Sequence, residues 1–318
     1  MTERRPTPDG VRDAAARVAD HVTKTPLVAV HWQGIRLWAK AECLQEGGSF
    51  KLRGAYNRLL RLDAEARRRG VVAFSSGNHA QGVAIAARRL ELSATIVMPS
   101  DAPALKIEGT RAEGAEIVFF ERLTEDRAAI AAEIGSRTGA IVVPSFDDPH
   151  IVAGQGTVGL EILDQLGRSP ARIVVPCGGG GLAAGIALAC AEAKITIVEP
   201  DGWDDMGRSL RGGAIVPVEA DAPGTLCDAL QTPRVSPITF GVLSERKAMA
   251  LSVSDEQACD AIAWAWREHQ MIVEAGGAVA LAALLSGKVD PVDDLVIVMS
   301  GGNIDPALHA RIVDQATR

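Results

Sequence analysis

The five cysteines, Cys43, Cys177, Cys190, Cys227 and Cys259, include no C-x-x-C pair, and their number is odd. Neither a disulfide framework nor a zinc knuckle is indicated. Buried thiols in a reducing cytoplasm are expected instead. No stretch reaches the ~18 apolar residues of a membrane-spanning helix, so no membrane partner is expected. No apolar run follows the arginines of "MTERRPTPDG", so no secretory signal is read. Basic charge is short as well: 33 Lys and Arg stand against 40 Asp and Glu, a net charge of −7. A nucleic-acid partner would want a basic face, and none is expected. Internal repeats, low-complexity tracts and long linkers are also missing.

What is there points to a globular enzyme. The chain has 318 residues, 47% of them hydrophobic and 23% charged. That is too long for one small core, so one large α/β domain or two domains are expected. Short apolar runs alternate with amphipathic segments. "VVAFSS" (71–76) precedes "NHAQGVAIAARRL" (78–90), and "ATIVMP" (94–99) precedes a helical stretch to Gly114. "AEIVFF" (115–120) precedes "TEDRAAIAAEIGSRTG", and "RIVVPCG" (172–178) precedes "GLAAGIALACAEA". "ITIVEP" (195–200) and "DLVIVMSGGN" (294–303) follow. Buried runs between helices predict parallel sheets covered on both faces. Ligands bind such sheets at the carboxyl ends of the strands. The site is therefore sought at "SSGN", "CGGGG" and "SGGN". Pro, Asp and Gly cluster in "VPSFDDPHIVAGQG" (143–156), a plausible domain boundary.

"CGGGGLAAG" joins an apolar strand to a helix. Glycine backbone amides can turn inward there, and the helix N-terminus adds positive potential, which together cradle a phosphate. A tight strand-to-helix turn alone would not need four glycines. The spacing Gly178-x-Gly180-x-x-Ala183, with Glu199 at the ribose-binding offset, also fits a dinucleotide fingerprint. A nicotinamide oxidoreductase is thus one reading, but it leaves Lys51 unexplained. Lys51 stands in "EGGSFKLRGAYNRLL" (46–60), behind glycines, a serine and Phe50, at the start of a helical pattern. A lysine in an apolar corner has a depressed pKa, the usual preparation for a Schiff base. A lysine with a phosphate cradle suggests pyridoxal phosphate. A solvated lysine at a helix start is the plain alternative.

"SFKLRGA" (49–55), "SSGNHAQGVA" (75–84), "AGQGT" (153–157), "GGGGL" (178–182), "EP…DD" (199–205), "GGAVALAA" (276–283) and "SGGN" (300–303) occur in this order. The set resembles the threonine/serine dehydratase and serine racemase family of fold-type II pyridoxal-phosphate enzymes, over nearly the whole chain. The resemblance implies a tryptophan-synthase-β-like α/β fold of two open, twisted, mostly parallel sheets with helices on both faces. It implies a large domain of residues 1–47 and 149–318 and a small domain of 48–148, with the site in the cleft between them. Lys51 is then the Schiff-base lysine, with Phe50 beside the ring. Asn78 meets the phenolic oxygen, Gly178, Gly179, Gly180, Gly181 and Leu182 hold the phosphate, and Ser300 meets the pyridine nitrogen. Ser75, Ser76, Gly77, Asn78 and His79 cradle the substrate carboxylate. Glu199, Asp205 and the Trp203 carbonyl stand where the family binds a divalent cation, with oxygen ligands that suit Mg²⁺ or Ca²⁺.

The implied activity is β-elimination of a β-hydroxy amino acid such as L-threonine or L-serine to a 2-oxo acid and ammonia, with Lys51 as general base. Ser76 offers the second acid/base that racemases of this family use, so slow racemisation of serine is expected beside dehydration. A serine or hydroxyaspartate racemase and a hydroxyaspartate dehydratase are the alternatives, and a non-catalytic cofactor-binding protein is a third class. Departures from the family pattern, "VPSFDDP", "EAGGA" (274–278) and "LCDAL" (226–230), fall on the substrate side and leave the amino acid open. Only "DPALHARIVDQATR" follows "SGGN", the short layout without a regulatory domain. A cytoplasmic homodimer is expected by the same resemblance.

Overall fold

The apolar runs become strands because helices cover their side chains from both sides. In the computed structural model, which describes residues 5–75, 77–102, 104–121 and 124–316, ten strands appear among the described residues. In chain order they are β1 (Leu27–Trp32), β2 (Ile35–Ala41), β3 (Val71–Phe74), β4 (Ala94–Pro99), β5 (Glu116–Phe120), β6 (Ile141–Val142), β7 (Arg172–Pro176), β8 (Lys194–Pro200), β9 (Met249–Val253) and β10 (Leu295–Met299). The larger sheet has the order β1-β2-β10-β7-β8-β9 and the smaller β5-β4-β3-β6. Every pairing is parallel except that of β1 with β2.

Alternation along the strands sorts side chains between two covers. Ile173 and Val175 of β7, with Val296 and Val298 of β10, pack under the helices Pro149–Leu166 and Gly181–Ala189. Val174, Leu295 and Ile297 face the other way, under Asp255–His269 and Ala275–Leu285. The smaller sheet repeats the scheme. Ala73, Ile96 and Met98 meet the helix Asn78–Arg89, while Val72 and Val97 meet Arg127–Thr138. These are the two-sided parallel sheets that the runs of apolar residues predict.

The expected runs at 71, 94, 115, 172, 195 and 294 all coincide with strands. Strands β1, β2, β6 and β9 were not expected. β1, β6 and β9 are edge strands, as is β5; β1 returns directly into β2 without a helix and β6 is only two residues long, so neither shows as a strand in a strand-then-helix alternation. β1 and β2 form a hairpin through Gln33 and Gly34, both at positive φ (51° and 80°), the backbone of a two-residue primed turn.

Three contacts locate the helix Lys51–Leu59. Two are close glycine approaches. A Cβ on Gly154 would lie 2.6 Å from the Gly54 Cα and 2.7 Å from the Arg53 carbonyl oxygen. A Cβ on Gly82 would lie 3.2 Å from the Leu52 nitrogen. The third is a buried ion cluster behind the lysine. Arg53, fully buried, donates to both oxygens of Glu42 at 2.7 and 2.8 Å and to both oxygens of Glu161 at 2.6 and 2.9 Å. Lys40 closes the cluster on Glu161, so two cations meet two anions. Removing one member of such a group would strand a buried charge at a cost of about 3–5 kcal/mol. The chain segment before the helix is stitched to the end of β10: Phe50 N–H donates to the Ser300 carbonyl at 3.2 Å, and Gly302 N–H to the Gly48 carbonyl at 2.8 Å.

The glycine contact makes a direct prediction. Gly154→Ala puts a methyl group against backbone rather than a movable side chain, and should lower unfolding free energy by about 1–3 kcal/mol. Urea denaturation measures it; an unchanged midpoint would contradict the close packing of these two helices.

Candidate active site

A cavity of about 280 Å³ opens at the carboxyl ends of β3, β7 and β10. Lys51, at the first turn of its helix, forms part of its wall with Phe50, Ser75, Gly77, Asn78, His79 and the 178–182 loop. The three glycine-rich segments picked out in the sequence thus converge on one space.

The Lys51 amine lies 5.2 Å from the centroid of the Phe50 ring and has no hydrogen-bond partner among the described residues. Burial lowers its pKa from 10.5 to about 8, with Glu274 opposing the shift. Such an amine carries a substantial unprotonated fraction near neutral pH, as a nucleophile or base requires.

Beyond β7 the chain cannot bear side chains. A Cβ on Gly179 would strike the Phe146 ring at 2.2 Å, and one on Gly178 would come 3.0 Å from the Leu230 Cα. Gly180 sits at φ +83°, a left-handed conformation that favours glycine. The nine-residue helix Gly181–Ala189 begins there with its first amides free of any side-chain cap. Bare amides at a helix N-terminus fit a phosphate. Ser300, buried at the end of β10, brings a hydroxyl with no partner among the described residues.

Asn78 opens the helix after β3 and is held from two sides. Its amide nitrogen donates to Glu274 Oε1, and its oxygen accepts from Asn303 Nδ2 at 2.8 Å. One N–H of the Asn78 amide is left over for a ligand. His79 is buried, and its Nε2 lies 2.8 Å from the Val143 carbonyl. Burial, then the Lys51 charge, lowers its pKa to about 3. The ring is therefore neutral, with Nε2–H given to Val143 and Nδ1 left as a bare acceptor. An acceptor does not attract a carboxylate, so the His79 ring is not fitted to that task. Ser75 Oγ already accepts from Gly77 N–H at 3.2 Å. Ser76 lies outside the described residues.

Glu199 and Asp205 are both buried, below the glycine loop. The two Glu199 oxygens accept from Met206 and Gly207 N–H at 2.9 and 2.8 Å, and Asp205 accepts from Val235 N–H at 3.0 Å. Glu199 is fully buried and is not part of the cavity wall, so it is not placed to meet a ribose there, which removes the physical basis of the dinucleotide reading. Burial pushes the Glu199 pKa well above its usual value, with the nearby Asp205 charge adding to it, and burial raises Asp205 to about 6. Two buried carboxylates short of positive charge are a donor set that a hard cation would suit. The Trp203 indole is spent on the Pro223 carbonyl at 2.7 Å, so its bulk does not fill the space between the carboxylates.

Sequence reasoning missed Glu274 as a site residue. It precedes a helix of small residues, and nothing local marks its carboxyl as buried. In the structure it reaches Asn78 and lines the cavity. The pair formed by Lys106 with Asp228, a residue of the cavity wall, was also missed, because its members lie far apart in the chain.

The pattern of one protein family, described as "Pyridoxal-phosphate dependent enzyme", matches residues 18–301. The L-threo-3-hydroxyaspartate ammonia-lyase of Saccharomyces cerevisiae is 39% identical over 317 residues, 97% of this chain and 96% of that protein. The serine racemase of Schizosaccharomyces pombe is 36% identical over 319 residues, 98% of each chain. Among solved structures, maize serine racemase superposes with a TM-score of 0.90 at 32% identity, covering 98% of this chain and 98% of that one.

Glu274 carries a pH signature. Burial, with the Asp228 charge adding to it, raises its pKa from 4.5 to about 7. A folded state that holds this proton more tightly than the unfolded state is stabilised below pH 4.5, and that contribution is lost as pH rises to about 7. His79 acts in the opposite sense, its contribution being present above pH 6.5 and lost toward pH 3. Glu274→Gln removes only the first. In cofactor-free protein, the stability of the variant relative to wild type should rise between pH 4.5 and 7, by at most about 1.4 kcal/mol per pH unit. Thermal unfolding across that range tests it; a pH-independent difference would contradict it.

Proposed function

The chain belongs to the family of pyridoxal-phosphate dependent enzymes, and on that premise we propose that it eliminates the β-hydroxyl of an amino acid, releasing a 2-oxo acid and ammonia. The observation that carries the reading is the Lys51 amine, unpartnered and lowered to about 8, facing the bare glycine loop, Asn78 and Ser300 across one cavity. The residues present fit the cofactor. Lys51 would hold its aldehyde carbon beside Phe50, and Gly178 to Gly181 with the Leu182 amide its phosphate. Asn78 would hold its phenolic oxygen and Ser300 its pyridine nitrogen.

Pyridoxal phosphate, when bound, supplies an electron-withdrawing ring that makes the Cα proton of an attached amino acid acidic. The protein's part is to bind, orient and move protons. The 75–79 loop would meet the substrate carboxylate with backbone amides and the Ser75 hydroxyl. Lys51, with its amine free, would accept the Cα proton of the substrate. Its desolvated position keeps it neutral enough to do so. Ser300 offers a hydroxyl rather than a carboxylate, so no negative charge stabilises a protonated ring nitrogen. That favours prompt departure of the β-hydroxyl over transamination.

Relatives named as L-threonine ammonia-lyases and L-threo-3-hydroxyaspartate ammonia-lyases support elimination. The serine racemase relative supports racemisation as a side activity, with Ser76 as its second acid/base. We take residues 48–148 as the small domain, carrying the carboxylate loop, and the remainder as the large domain. We take the protein to be a cytoplasmic homodimer, and the half-exposed Leu44, Leu226 and Ile272 are apolar surface that a dimer contact could cover; a monomeric mass by light scattering would refute the dimer. No helix among the described residues is long and apolar enough to cross a membrane.

Lys51→Ala should lower ammonia release from the preferred β-hydroxy amino acid by at least about 10³-fold, since it removes anchor and base together. A rate within tenfold of wild type would end this assignment. No ammonia from wild type on any such substrate, with cofactor bound, would select the non-catalytic reading.

Glu199, Asp205 and the Trp203 carbonyl would hold Mg²⁺ or Ca²⁺. A cation bound only by the native state stabilises it, so chelator should lower the melting temperature and Glu199→Gln should abolish that response. An identical melting curve with and without chelator, and no metal by elemental analysis, would remove the cation from the account.

A further inference from the structure

The charged groups around the cavity are unevenly satisfied. Asp126, Asp147, Asp228 and Glu274 supply carboxylates to its wall, and Lys51, Arg127 and Arg234 supply cations. Each carboxylate is engaged. Asp126 caps its helix through the Ala128 and Ala129 amides at 2.8 and 3.3 Å. Asp228 pairs with Lys106, Glu274 takes the Asn78 amide, and Asp147 has a partner of its own. Arg127 is also engaged, and its guanidinium lies 6.0 Å from the Phe74 ring centroid. Arg234 differs. Among the described residues it has no hydrogen bond and no ion pair, although it lines the cavity.

Its backbone is nevertheless anchored. The next residue, Val235, is buried and its N–H is held by Asp205 at 3.0 Å. Ser236, also buried, caps the following helix through the Thr239 amide at 3.2 Å. At the other end of the segment, Leu230 packs against Gly178. An exposed guanidinium without a partner among the described residues therefore stands on a fixed loop at the rim of a cavity whose own carboxylates are already taken. The loop at 75–79 is fitted to one substrate carboxylate, and neither serine nor threonine has a second anion for Arg234 to meet.

We propose that Arg234 is a specificity-determining residue that receives a second carboxylate, carried on the β-carbon, so that the substrate class is β-hydroxy amino dicarboxylic acids. This rests on the elimination reading above. The planar fork of arginine matches a carboxylate through two parallel N–H···O bonds. It acts on binding: the second carboxylate docks on the large-domain wall, orienting the β-hydroxyl without taking part in proton transfer.

The test compares holoenzyme of wild type, Arg234→Gln and Arg234→Lys on 3-hydroxyaspartate and on L-threonine, by ammonia release, with cofactor dissociation measured in parallel. The expected result is that wild type prefers 3-hydroxyaspartate. Arg234→Gln should raise its KM at least tenfold and leave kcat/KM for L-threonine within twofold, with partial recovery in Arg234→Lys. Equal losses on both substrates would overturn the proposal, as would wild-type preference for L-threonine. A weakened hold on cofactor with unchanged substrate preference would overturn it too, placing Arg234 on the cofactor phosphate. Failure of the parent reading looks different: wild type would release no ammonia from either substrate.

Discussion

The placement of one lysine governs the rest of the structure. Lys51 is held where its amine is desolvated and, among the described residues, has no hydrogen-bonded counter-ion, a costly position for a charged group. It stays there because the helix that carries it cannot move. Gly54 and Gly154 let two helix backbones touch, and the Arg53–Glu42–Glu161–Lys40 cluster ties the same helix to β2 and to the helix Pro149–Leu166. The cluster is neutral and fully hydrogen-bonded, so it adds position without adding field at the amine. Stability spent on an unfavourable amine is what makes that amine a base near neutral pH.

Around the lysine, a chain of amides and one carboxyl sets orientation. Asn303 holds the oxygen of Asn78, Glu274 holds its nitrogen, and Glu274 is itself sensed by Lys51 as a nearby charge. Asn303 also donates to the Gly47 carbonyl at 2.8 Å, linking this chain back to the loop that precedes Lys51. The ends of β3 and β10 are thus joined by side chains as well as by the ligand space between them. A shift in either would tilt the Asn78 amide.

Much of this was legible in the sequence, for physical reasons. Buried parallel strands need continuous apolar runs, and β3, β4, β5, β7, β8 and β10 supply them. A phosphate cradle needs glycine, and "CGGGG" supplies it at a strand-to-helix junction. Lys51 and Phe50 were readable because "SFKLRGA" places an amine where an apolar residue would otherwise pack. The edge strands β1, β6 and β9 were not readable: β1 returns into β2 without a helix, β6 is two residues long, and the apolar run of β9 is broken by Ser252. Glu274 was obscure because its burial is decided by Asn78, nearly two hundred residues away. Arg234 was invisible for a similar reason: only the folded cavity shows that its wall holds a guanidinium without a partner. The dinucleotide spacing around Gly178 was genuine as a pattern, but the burial of Glu199 away from the cavity could not be seen in it.

The central claim is that Lys51 is the residue joined to the cofactor. The protein would be loaded with pyridoxal phosphate, reduced with borohydride, digested and mapped by mass spectrometry. The account predicts the reduced cofactor on the Lys51 side chain alone. A label on any other lysine, or none on Lys51 in fully loaded protein, would contradict it.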